Sequence, residues 1–191
     1  MKNSKYDSNN EKKFSEMTPA EKKKEILSWI IWIAAAVIIA VGLRTFVFEF
    51  VVVRGDSMNN TLFNGENVFV EKISKITDNY DYNDILIVKY PGRSEAFVKR
   101  LVGMEGDTIE VKDGYLYRNG EKIEEPFIRD GYMESDFKKI TVPEGHVFVM
   151  GDNRNNSSDS RNAAVGPISE NDIVGKAVFV MLPINSIRGL G

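Results

Sequence analysis

The sequence predicts a mainly β protein, a coiled antiparallel sheet with a small β-hairpin lobe, preceded by one N-terminal transmembrane helix. Three observations predict it. An uncharged apolar run occupies residues 26–43, short runs rich in β-branched and aromatic residues recur after it, and turn signals such as "DG", "NG" and "PEG" separate those runs.

The run "ILSWIIWIAAAVIIAVGL" is eighteen residues long, enough to cross a bilayer. It exceeds the apolar stretch of a cleaved signal peptide and has no small-x-small exit before Arg44, so it reads as a permanent anchor. Lys22, Lys23 and Lys24 precede it and Arg44 alone follows. The excess of positive charge keeps the N-terminus in the cytoplasm and places residues 44–191 on the outer side of a cell membrane. Residues 1–25 carry seven lysines and five acids and little to bury, and read as a solvated cytoplasmic tail. Ser57 lies about a dozen residues past the anchor, within reach of the membrane surface at roughly 3.3 Å per extended residue.

Strand-like runs then follow in order: "FVFEFVVV" from Phe46, "NVFVEKI" from Asn67, "DILIVKY" from Asp84, "AFVKRLV" from Ala96 and "DTIEVK" from Asp107. "YLYRNG" from Tyr115, "KKITV" from Lys138, "HVFVMGD" from His146 and "DIVGKAVFVML" from Asp172 complete the set. "VKDGYLYRNGEKI" reads as hairpins of a smaller lobe over about 108–140. No long helical period follows the anchor.

Composition narrows the function. A chain of 191 residues, 42% hydrophobic and 28% charged, buries one sizeable core. Its formal charge of -3 gives no general attraction for phosphate backbones, so nucleic acid is not an expected partner. Cysteine is absent, which removes disulfides and thiol chemistry, and the single histidine, His146, excludes a multi-histidine metal site. No metal and no cofactor is expected. His146, in "PEGHVF", has no serine and carboxylate patterned around it and reads as structural.

Two residues invite chemistry. Ser57, in "RGDSMNNTL", follows Gly55 and Asp56 at the end of a strand-like run, where a turn presents its hydroxyl; most such serines only cap or turn the chain. Lys99, in "FVKRLV", shares a strand face with Phe97 and Leu101. If desolvated there it becomes a neutral base able to take a serine's proton; if it snorkels to water it does nothing. Arg100 points to the other face and stays charged. The polar stretch "GDNRNNSSDSRNAAVGPI", 151–168, suits a loop folded on itself by Asp–Arg pairs.

"GDSMNNTL", "DILIVKY", "VKRLVGMEGDTIEV" and "GDNRNNSSDSR", in this order after one anchor, resemble the type I signal peptidases, also called bacterial leader peptidases, of peptidase family S26. The resemblance runs from the anchor to about Met181. It implies a membrane-bound serine protease that cleaves signal peptides from secreted preproteins after small residues, through an acyl-enzyme. It implies Ser57 as nucleophile, Lys99 as general base, Ser157 as the hydroxyl that orients the lysine, and the Ser57 backbone N–H as oxyanion donor. Met58 falls beside the substrate pocket, Asp159 and Arg161 support the site, and Asp152 and Arg154 are weaker structural candidates. Its partners are signal peptides and the lipid bilayer. Three positions depart from the pattern: Gly55 where some members carry a second oxyanion serine, Asn60 where proline is usual, and Glu105 where proline is frequent. Two other readings stand beside it: a self-cleaving Ser-Lys regulator of related fold, and a non-catalytic surface binding protein using the "RGD" at 54–56.

Overall fold

The computed structural model describes residues 17–128 and 131–190. Of the tail expected over 1–25, residues 1–16 lie outside the described residues. The chain divides into two compact units, Met1–Leu43 and Arg44–Gly191.

Helix α1, Pro19–Phe46, begins seven residues before the apolar run and ends three after it. Thr18 and Glu21 explain the early start. The Thr18 N–H donates to Glu21 Oε2 at 2.7 Å and the Glu21 N–H to Thr18 Oγ1 at 3.4 Å, a capping box with Pro19 in the first helical position. Arg44 in the last turn complements the helix dipole. The 28 residues span about 42 Å at 1.5 Å per residue, and among the described residues this is the one helix long and apolar enough to cross a membrane. Because the helix runs through Phe46, the strand expected from that residue starts later.

The second unit is built from β1 (Phe48–Val52), β2 (Asn67–Glu71), α2 (Ile73–Thr77), β3 (Ile85–Lys89), β4 (Ala96–Gly103), β5 (Thr108–Lys112) and β6 (Tyr115–Arg118). β7 (Glu121–Lys122), β8 (Phe137–Thr141), β9 (His146–Met150), β10 (Ile168–Ser169), β11 (Ile173–Leu182) and β12 (Arg188–Gly189) follow. The main sheet is antiparallel in the order β1-β2-β11-β3-β4-β9-β10, with β12 added on β11. Register shifts at three places along β11 bend and curl it. β3 is covered on both faces: Ile85 and Ile87 enter one core with Val68 and Val70, and Leu86 and Val88 another with Leu101 and Val149. This is why "ILIV" is apolar throughout instead of alternating.

The smaller sheet runs β7-β6-β5-β8. Its hairpins turn on Asp113-Gly114 and Asn119-Gly120, all four at positive φ, the geometry a two-residue loop needs to match strand twist. Short α2, β10 and β12 carry too few residues to show a period, and the sequence reading has none of them as separate elements, whereas β7 is the last strand of the hairpins read in "VKDGYLYRNGEKI".

Candidate active site

The connection from β1 to β2 carries Ser57. Its neck is closed by Val53 N–H to Glu66 O at 2.8 Å and Gly65 N–H to Val53 O at 2.9 Å. Gly55 takes φ +83°, a conformation a side chain strains, and its N–H donates to Asn64 Oδ1 at 3.0 Å. Beyond Ser57 the N–H groups of Thr61 and Leu62 both return to the Met58 carbonyl, at 3.0 and 2.8 Å. Met58 and Leu62 sink into the core and anchor the turn from below.

Lys99 arrives from β4. It is 2% exposed, and a 2.6 Å hydrogen bond joins its Nζ to Ser57 Oγ. β4 pairs β3 through Ala96–Arg100, whereas its pairing with β9 starts only at Arg100. The other edge of residues 96–99 is therefore open. A groove of about 660 Å³ lies along it, lined by Phe50, Val52, Ser57, Met58, Val98 and Lys99. Burial lowers the Lys99 pKa to about 8, against the opposite pull of Asp159 and Asp152.

The loop after β9 holds the turn that carries Ser57 directly. The Asn153 N–H donates to Ser57 O at 3.0 Å and Asn153 Nδ2 to Asp56 O at 3.1 Å. Gly151 is required by close approach: a Cβ there would collide with the Ser57 carbonyl oxygen and with Ser157 Oγ. Asp159 receives Arg161 Nε and Nη2, each at 2.8 Å, and the Gly151 N–H at 3.0 Å. Burial works to raise its carboxyl, yet the Arg161 bond and charge and the Gly151 N–H hold it below the usual carboxylate range. Ser157 Oγ itself is buried without a hydrogen-bond partner and makes no bond to Lys99. Among the described residues the Ser57 N–H donates to no acceptor.

The Asp–Arg pairing expected within this loop is half as expected. Asp159 pairs Arg161, but Asp152 and Arg154 reach outward. Asp152 takes Arg100 Nε at 2.8 Å and Nη2 at 2.6 Å, with Thr61 Oγ1 on the same carboxylate at 2.5 Å. Arg154 Nη2 meets Glu125 Oε1 at 2.7 Å, and burial pushes the Glu125 carboxyl up despite that partner. Arg100, 5% exposed, also lies under Phe127, 3.8 Å from the ring centroid. Thr61, Glu125, Phe127 and Asn153 are contributors to which the sequence reading gave no role, although Thr61 and Asn153 lie within the quoted motifs "GDSMNNTL" and "GDNRNNSSDSR". His146 Nδ1 shares a 2.7 Å hydrogen bond with the Glu144 carbonyl. No cluster of potential metal ligands occurs among the described residues.

A hydroxyl held by a desolvated amine at the edge of a groove fit for an extended chain is the layout of a hydrolase. Residues 26–182 match the family described as signal peptidase, peptidase S26, and the chain belongs to that family. It is 39% identical over 183 residues to a signal peptidase I of Bacillus licheniformis, covering 91% of this chain and 98% of the other. It is 42% identical over 177 residues to signal peptidase I S of Bacillus subtilis (strain 168), covering 87% and 95%. A solved signal peptidase I from Enterococcus faecalis V583 is 31% identical and covers 51% of this chain and 96% of its own, with a TM-score of 0.46.

Proposed function

We propose that the chain is a membrane-anchored endopeptidase that removes signal peptides from secreted preproteins, with Ser57 as nucleophile and Lys99 as general base. The observation that carries this is the 2.6 Å contact between Ser57 Oγ and a Lys99 whose pKa burial has brought to about 8. An appreciable fraction of the amine is then neutral near pH 7 and can accept the serine proton.

The substrate lies extended along the open edge of β4 residues 96–99, adding main-chain hydrogen bonds there, and its small residues fit the shallow apolar floor at Met58 and Val98. Nζ takes the Oγ proton as Oγ attacks the scissile carbonyl carbon. The Ser57 N–H stabilises the oxyanion. As the C–N bond breaks, the ammonium returns its proton to the leaving amine, leaving an ester on Ser57. Lys99 then deprotonates a water, which attacks that ester and frees the serine. Asp159 and Arg161 fix the loop that supports the Ser57 backbone, and the unpartnered Ser157 hydroxyl is read as steering the amine during turnover. Lys22–Lys24 against Arg44 support an N-terminus in the cytoplasm and the catalytic domain outside the cell membrane.

The test is incubation of the detergent-solubilised full chain with a preprotein bearing an A-x-A-like site. Ser57→Ala and Lys99→Ala should each abolish cleavage while the circular dichroism stays unchanged. Cleavage at the normal rate by either variant overturns the assignment.

A further inference from the structure

The last residues of the chain lie past the family-matched segment and are tied to the nucleophile loop. β12 pairs Val180↔Arg188 and Phe179↔Gly189 on β11, and Leu190 packs on the core that holds Met58 and Leu62. From this strand Arg188 reaches across 122 positions of sequence to Glu66, with Nη1 on Oε1 at 2.8 Å and Nη2 on Oε2 at 2.7 Å. Nη2 also donates to the Thr61 main-chain oxygen at 2.6 Å. Glu66 is 5% exposed, and its Oε2 accepts the Phe63 N–H at 3.0 Å.

A carboxylate partner alone would make this a stabilising pair at the domain rim. The bond to a main-chain carbonyl of the nucleophile loop is what a purely stabilising pair does not need. Thr61 is thereby gripped from two sides. Its carbonyl is held by Arg188, and its hydroxyl by Asp152, whose other contacts are to Arg100, the residue next to Lys99. Thr61 in turn donates its N–H to Met58 O, one residue from Ser57. The path from the C-terminal strand to the reacting hydroxyl is thus continuous.

We propose that Arg188 is a positioning residue: it fixes the 58–66 segment so that Ser57 Oγ sits against Lys99 Nζ. The proposal rests on the Ser57–Lys99 reading above. Misplacing a reacting group by about 1 Å can cost about 100-fold in rate, so loss of the clamp acts on turnover more than on binding in the groove.

The experiment compares Arg188→Ala, Arg188→Lys and the charge exchange Arg188→Glu with Glu66→Arg in the full chain, measuring kcat, KM and Tm, with Ser57→Ala in parallel. Arg188→Ala should lower kcat about 10- to 100-fold with KM changed less than about threefold, and Arg188→Lys should recover part of that loss. The charge exchange should restore part of the Tm, the rest being lost because an arginine at 66 cannot accept the Phe63 N–H, but none of the kcat, because a glutamate at 188 has no proton to give the Thr61 carbonyl. Wild-type kcat in Arg188→Ala, or kcat recovering together with Tm in the exchange, overturns the clamp. Turnover surviving in Ser57→Ala overturns the dyad reading instead, so the two failures are told apart.

Discussion

Strand β4 buries a cation on each face and treats the two in opposite ways. Among the described residues Lys99 Nζ makes one hydrogen bond, to the neutral Ser57 hydroxyl, and has no carboxylate at ion-pair distance. Arg100, its neighbour, is held by both oxygens of Asp152, by the Asn83 carbonyl at 2.7 Å and by the Phe127 ring. A guanidinium cannot shed its proton, so its burial demands a full set of partners; an ammonium can, so desolvation without a carboxylate partner lowers its pKa, which is what the proposed role of Lys99 as a base needs. One face of the strand holds a fully paired cation and the other a desolvated amine on which the proposed chemistry rests, and sequence adjacency couples them.

Replacing Lys99 tests the reactive face most severely. Lys99→Met should cost about 10²- to 10⁴-fold in processing, the range for loss of a general base. The same change should stabilise the fold at neutral pH. Moving the lysine from 10.5 to about 8 corresponds to at most about 3 kcal/mol at 1.36 kcal/mol per unit. Between about pH 8 and 10.5 the unfolded chain binds the proton that the folded state has released, so wild-type stability rises with pH there and the gain from methionine fades. Activity of the wild type should likewise rise with pH through about 8. Denaturant unfolding at pH 7 and 10, beside a pH–rate profile, checks both; a methionine variant less stable than wild type at pH 7 would break the contrast.

The paired face should respond in the reverse sense. Asp152→Ala strands a guanidinium that is 5% exposed and should destabilise by about 3–5 kcal/mol, the cost of removing one partner from a buried ion pair. The loss should appear as a lower denaturant midpoint with an unchanged slope. A shift under about 1 kcal/mol would mean that water replaces the carboxylate and that the face is not sealed.

How much of this was legible beforehand depended on range. The anchor, the strands and the two hairpins are written in short-period patterns, and "DG" and "NG" fall at the residues that need positive φ. Ser57 and Lys99 were legible as candidates because a turn and a strand face can be read locally. What could not be read was pairing across sequence: Arg100 with Asp152 spans 52 positions and Arg188 with Glu66 spans 122. Nothing periodic marks such contacts. The helix ends were missed for a smaller reason, since Thr18 and Glu21 cap outside the apolar run that drew attention.

The smallest effect expected concerns the bend beside Thr61, where both faces of the contrast meet. Asn60 is exposed and takes φ +89°, a left-handed conformation costly for a residue with a Cβ. A proline, its φ fixed near −65°, cannot occupy this turn as it stands. Glycine can, and because the Asn60 side chain makes no hydrogen bond among the described residues it has little contact to lose. Glycine's extra freedom in the unfolded chain costs about 0.5–1 kcal/mol, while relief of the left-handed strain returns about 1–2 kcal/mol in a residue without asparagine's local tolerance and less in one with it. Asn60→Gly should therefore raise stability by less than about 1 kcal/mol. A clear loss in thermal unfolding would show instead that the asparagine side chain, and not only its backbone, shapes the segment that carries Thr61 between Asp152 and Arg188.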